Sequence, residues 1–233
     1  MKFRSQVFTA VSGSIGGITY SHNRGGMYTR GRATPTNPNT PAQQAARNAL
    51  STLSTAWQNA LTVAQRGAWD QYAFNTPLSD AFGEPLTLTG QQMYNRCNSP
   101  RVRAGIARVD DGPATFGQAD LSILTIDFNV TPEEVELGYG TTDEWRNVTG
   151  GFLLVQTSQI VKPTINFLKG PFRFATAVVG DTAAPPFGPL TMPANAFGMT
   201  YADYRSNRVF YRVRASNADG RLSPVQILTV DLD

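Results

Sequence analysis

The rhythm of hydrophobic and polar residues changes three times along the chain. From Gln6 to Thr34 it comes in short strand-like runs divided by glycine: Gln6–Val11, Ile15–Tyr20 and Met27–Thr34. The tetrapeptide Asn23-Arg24-Gly25-Gly26 is a turn before the third run. These runs hold few large apolar residues, so three such strands bury too little to be stable alone. The segment is expected to lie on the rest of the chain or on another chain. Thr34-Pro35-Thr36-Asn37-Pro38-Asn39-Thr40-Pro41 then excludes regular structure, because proline fixes φ and extends the residue before it.

A helical period follows. Ala46, Ala49, Leu50, Leu53, Trp57 and Ala60 form one stripe at three- and four-residue spacing, which predicts a helix from Pro41 to about Asn59. A second is expected from Val63 to about Phe74, with Ala68, Trp69 and Tyr72 inward and Pro77 ending it. Only Leu61-Thr62 separates the two, so they should form an antiparallel hairpin with Trp57, Trp69 and Tyr72 in its core. Thr40-Pro41-Ala42-Gln43, Thr62-Val63-Ala64-Gln65 and Thr89-Gly90-Gln91-Gln92 each carry the threonine and glutamine of a capping box. The last opens a short third helix, Gln91 to Cys97. Residues 78–88 read as a loop or small hairpin.

After an irregular stretch at 99–118 the pattern becomes strand-like. Leu121–Phe128, Val135–Tyr139 and Gly151–Thr157 are expected strands, with two more between Ile165 and Val179 and a long loop from Asp181 to Pro193. In the next strand Val209, Tyr211, Val213 and Ala215 alternate with Arg208, Phe210, Arg212 and Arg214. Ala218-Asp219-Gly220-Arg221 is a hairpin turn, and Val225–Val230 closes the run. Six or seven short strands argue for an antiparallel β-sandwich. The fold class is thus α+β and multidomain. It comprises a β-rich arm with a proline-rich connector (1–40), a small helical hairpin domain (41–98), a linker (99–118) and a sandwich (119–233).

Composition narrows the chemistry. The chain has 233 residues with one His and one Cys, which excludes a disulfide framework, a multi-cysteine zinc site and paired-histidine metal motifs. No run is apolar enough to span a bilayer, and the start is a poor secretory signal. The net charge of +3 hides an uneven distribution. Residues 1–69 carry seven basic residues and no acidic one, the first acid being Asp70, whereas residues 112–233 carry nine basic and twelve acidic ones. Arginine supplies 17 of the 20 cations, which favours bidentate, interface-type contacts.

Two resemblances add to this. Tyr211-Arg212-Val213-Arg214-Ala215-Ser216-Asn217-Ala218-Asp219-Gly220-Arg221-Leu222-Ser223-Pro224 resembles the end of fibronectin type III domains. The early tryptophan usual in that family is absent, Trp145 lying in a loop-like context. Ser12-Gly13-Ser14-Ile15-Gly16-Gly17-Ile18-Thr19-Tyr20 is similar to a group of uncharacterised tailed-phage and prophage proteins. Arg24-Gly25-Gly26, Arg30, Arg32, Pro35, Asn37-Pro38, Thr40, Gln43 and Arg47 continue the likeness, as do Leu61-Thr62, Gln65-Arg66, Trp69 and Tyr72-Ala73. That resemblance covers about residues 5–97. It implies a virion setting, with host cytoplasm as the site of assembly, and a structural role.

Candidate catalytic groups are few. His22 sits in a turn with no nucleophile elbow in the chain, and reads as a polar turn residue. Cys97, near a helix end, reads as a small half-buried residue, although a neighbouring Arg96 could lower its pKa. Glu133, Glu134 and Glu136, with Asp143 and Glu144, read as a solvated edge or loop and not as an acid–base pair or calcium site. Asp110-Asp111-Gly112 reads as a turn. Gly13 to Gly17 lacks the lysine and the strand–helix setting of a phosphate loop. Asn129-Val130-Thr131 and Asn147-Val148-Thr149 are chance sequons. No catalytic, metal or cofactor residue is assigned.

The acid-free N-terminal stretch remains. Its expected role is docking on an acidic protein surface by strand addition, with Tyr20, Arg24, Tyr28, Arg30 and Arg32 as contacts and Gly25-Gly26 shaping the turn. The expected partners are other virion proteins, either major capsid or portal and neck proteins, in a multi-copy symmetric assembly. Capsid decoration and a head–tail connecting role both fit. Nucleic acid bound by the same arginines and tyrosines is the alternative. A secreted adhesion module binding carbohydrate through the sandwich loops is another.

Overall fold

The computed structural model describes residues 11–23, 26–34, 36–79, 83–129, 134–187, 189–193 and 207–232. All of the predicted strand Gln6–Val11 except Val11, together with Arg24, Gly25, Glu133 and most of the first sequon, lies outside them. The chain divides into two compact units, Met1–Pro41 and Ala42–Asp233.

The first unit is a three-stranded antiparallel sheet in the order β1 (Gly13–Ile15), β2 (Ile18–Asn23), β3 (Gly26–Gly31). The predicted strand Ile15–Tyr20 is in fact a hairpin. Gly16 and Gly17 both take positive φ (54° and 81°), the two-residue turn whose twist suits paired strands. Ile15 therefore pairs with Ile18. The third strand ends at Gly31, three residues before its expected end.

In the second unit α1 (Pro41–Asn59), α2 (Val63–Asn75) and α3 (Gly90–Arg103) form the helical part. Between α2 and α3, β4 (Leu78–Ser79) and β5 (Pro85–Leu86) make the small hairpin. Thr62 and Thr89 close full capping boxes with Gln65 and Gln92, each such cap contributing about 1 kcal/mol. On α1 the buried stripe is Ala49, Leu53 and Ala56, with Trp57 half-buried beside it. Ala46, Leu50 and Ala60 are exposed, so the covered face is narrower than the apolar pattern suggested. Trp69, Tyr72 and Tyr94 fill the helical core, with Trp69 edge-on to both tyrosines at 5.9 and 5.5 Å.

The helix α3 runs six residues past its expected end, straight through Pro100. Proline inside a helix costs about 3 kcal/mol. Arg101, one residue later, explains the persistence. Its buried guanidinium donates to the carbonyls of Ala107, Asn217 and Gly150 and to Ser216 Oγ, at 2.7–3.2 Å. It also lies 5.5 Å over the Phe152 ring.

The remaining elements are β6 (Ile123–Asn129), β7 (Glu134–Tyr139), α4 (Glu144–Asn147), β8 (Phe152–Ser158), β9 (Phe172–Val179), β10 (Leu190–Pro193), β11 (Asn207–Ser216) and β12 (Gln226–Leu232). They form two antiparallel sheets, β10-β7-β6 and β12-β11-β8-β9. One core joins them: Val135, Leu137 and Tyr139 from the first sheet, Leu153, Val155, Val209, Tyr211, Val213 and Ala215 from the second. Only one strand, β9, forms between Ile165 and Val179, and the expected loop Asp181–Pro193 ends in strand β10. Trp145, expected in a loop, sits on the single turn of α4 and is fully buried, edge-on to Tyr139 at 5.1 Å. Gly151 and Gly180 pass so close to the Trp145 carbonyl that neither has room for a side chain.

The helices and sheets share more than a chain. Leu222, from the β11–β12 connection, is buried in the helical core with Trp69 and Met93. Residues 99–118, expected as a linker, contribute the last turn of α3 and then a strap bonded to the helices. Trp69 Nε1 donates to Asp110 O, Tyr72 Oη to Gly117 O and Tyr94 Oη to Asp110 Oδ1. The Asn98 side chain bonds both the carbonyl and the amide of Val109. Gly112 lies flat on the backbone of α2 at Ala68 and Trp69, where a Cβ would collide.

Candidate interface on the N-terminal sheet

Residues opposite one another on paired strands share a face. The register Ile15↔Ile18, Gly13↔Tyr20, Tyr20↔Thr29 and His22↔Met27 therefore gathers Ile15, Ile18, Tyr20 and Met27 on one side, with Thr29 and His22 beside them. The register Ser14↔Thr19, Thr19↔Arg30 and Ser21↔Tyr28 gathers Ser14, Thr19, Ser21, Tyr28 and Arg30 on the other. The sheet is amphipathic. Ile15 is 75% exposed and Ile18 42%.

This arrangement separates the expected contact residues. Tyr20 lies on the apolar face, and Tyr28 and Arg30 lie on the polar one. Gly26 pairs with Asn23 to close the β2–β3 turn, and the Arg32 amide donates to Gly17 O at 2.8 Å, just past the end of β3. Arg24 and Gly25 are outside the described residues. Ile15, Ile18 and Met27 were not among the residues singled out from sequence. Their alternation was the available signal, hidden by reading Gly16-Gly17 as part of a strand. His22, expected in a turn, lies within β2 opposite Met27 and is exposed.

No family model, curated protein or solved structure matches this chain.

The other candidate groups have structural partners. Cys97 is fully buried, and burial pushes its thiol pKa up to about 12, against the lowering considered from its arginine neighbour. Asp143 accepts from the Ser122 amide at 2.8 Å and from Trp145 Nε1 at 3.2 Å. Glu144 accepts from Asn217 Nδ2 and Arg221 Nη2 at 2.6 and 2.7 Å. Arg221 also pairs with Asp219. Asp111 and Asp110 hold the strap to the helices, through Gln65 in one case and Tyr94 in the other. Among the described residues no group of three His, Cys, Asp or Glu is placed to hold a metal ion. No described helix is long and apolar enough to cross a membrane.

Proposed function

We propose that the chain is a non-enzymatic structural subunit of a tailed-phage virion, anchored through residues 1–40 to a neighbouring subunit. The observation that carries this reading is the amphipathic N-terminal sheet, with Ile15 and Ile18 exposed on one face. Strands β1 and β3 are its edges, and an edge strand presents backbone groups that a partner strand can complete. The apolar face supplies the burial and Arg30 on the opposite face supplies charge complementarity to an acidic neighbour. The sequence likeness to phage and prophage proteins supplies the setting.

The second unit serves as a displayed or bridging domain. Its order of strands, three in one sheet and four in the other with β9, β10 and β11 alternating between sheets, supports a fibronectin-III-like sandwich. The polar contacts of its acids are internal brackets, which favours assembly over chemistry. Co-expressing the chain lacking residues 1–40 with the particle's other structural genes tests the reading. The truncated chain should fold and be left out of purified particles. Normal incorporation would contradict anchoring by the arm.

A further inference from the structure

The face of α3 turned away from the helical core carries Arg96, Ser99, Pro100 and Arg103, at the spacing that stacks residues along one side of a helix. It stands against the outer surface of β8 and β11. There the register sets Arg212 beside Gln156 and Arg214 beside Leu154. These residues wall a cleft of about 200 Å³. Four guanidinium groups line it, and no carboxylate does.

Like charges brought together this way are costly unless something neutralises them. Among the described residues none of the four arginines forms an ion pair. Arg214 Nε is buried with no hydrogen-bond partner. Burial, with Arg96 and Arg212 nearby, holds the Arg214 pKa below its ordinary value. Both walls are regular elements, so the backbone positions that carry the charges are set before any ligand arrives.

The ligand must be small, because drug-sized ligands fill roughly 300 Å³ or more. It must also be multiply charged, since one carboxylate offsets one cation of four. Guanidinium forks pair two-by-two with the oxygens of phosphate. We propose that this cleft binds a compact phosphate-class oxyanion, held by Arg96, Arg103, Arg212 and Arg214. Such an anion could be free or could be a phosphate of a nucleic-acid backbone.

Calorimetric titration of the full chain with pyrophosphate at low salt tests this. Saturable binding is expected, weakened about tenfold or more by Arg212→Gln and by Arg103→Gln, each removing a charge-assisted contact. Arg103 is exposed at the end of α3, so its replacement leaves the fold intact. Without anion, Arg212→Gln should melt at or above the wild-type temperature, because repulsion is relieved. Displacement of pyrophosphate by a single-stranded oligonucleotide would assign the site to backbone phosphates, and lack of displacement to a free anion. A wild-type chain that binds no pyrophosphate overturns the proposal, as does undiminished binding by both variants.

Discussion

The N-terminal sheet and the four-stranded sheet of the second unit differ less in their strands than in what covers them. Every residue of β8 is buried, while all three of β1 are exposed. Strand β8 has the facing sheet's core on one side and, on the other, Phe152 under Arg101. Among the described residues the strands hydrogen-bonded to β2 are β1 and β3. Pairing sets the shape of a sheet, and burial of its faces stabilises it, at roughly 25 cal/mol per Å² of apolar surface. On that measure the second unit buries its strands within the chain, whereas the described strand β1 stays exposed.

The strongest challenge to this contrast is to break the second unit where helices meet sheets. Trp69→Ala removes the largest side chain at the junction, beside Gly220 and Leu222, and should cost about 3–5 kcal/mol. Because the core is shared, urea unfolding followed by tryptophan fluorescence and by far-ultraviolet circular dichroism should stay coincident. Sheets that outlast the helices in a separate transition would refute the shared core. Next comes Arg101→Met, which leaves the carbonyls of Ala107 and Gly150 without the donor they have here and removes one of the donors to Asn217 O. A loss of about 2–3 kcal/mol in the same unfolding measurement is expected. The smallest effect belongs to the arm. Ile15→Ser with Ile18→Ser should change the stability of the free chain by less than about 0.5 kcal/mol, since both side chains are already exposed. The same pair should sharply reduce incorporation into particles.

Local signals were legible before the fold was known. The threonine–glutamine boxes at Thr62 and Thr89, the inward Trp69 and Tyr72, and the alternation along β11 all appear where the pattern placed them. Long-range compensation was not legible. The length of α3 depends on Arg101 reaching residues more than a hundred positions away, which no local rule at Pro100 contains. The strap at 106–118 looks irregular in sequence because its bonds go to Trp69, Tyr72 and Tyr94 instead of to itself. The arginine cleft was half visible. Arg212 and Arg214 stood on one face of their strand, but Arg96 and Arg103 align only once the helix continues. On the arm, reading two glycines as strand in place of turn concealed which residues share a face.

Amide hydrogen exchange across the whole chain, free and within assembled particles, tests the central contrast most directly. In the free chain the amides of β8 and β11 should be strongly protected and those of β1–β3 weakly, with the N-terminal sheet alone gaining large protection on assembly. Protection of β1–β3 in the free chain equal to that of β8, unchanged by assembly, would contradict the account.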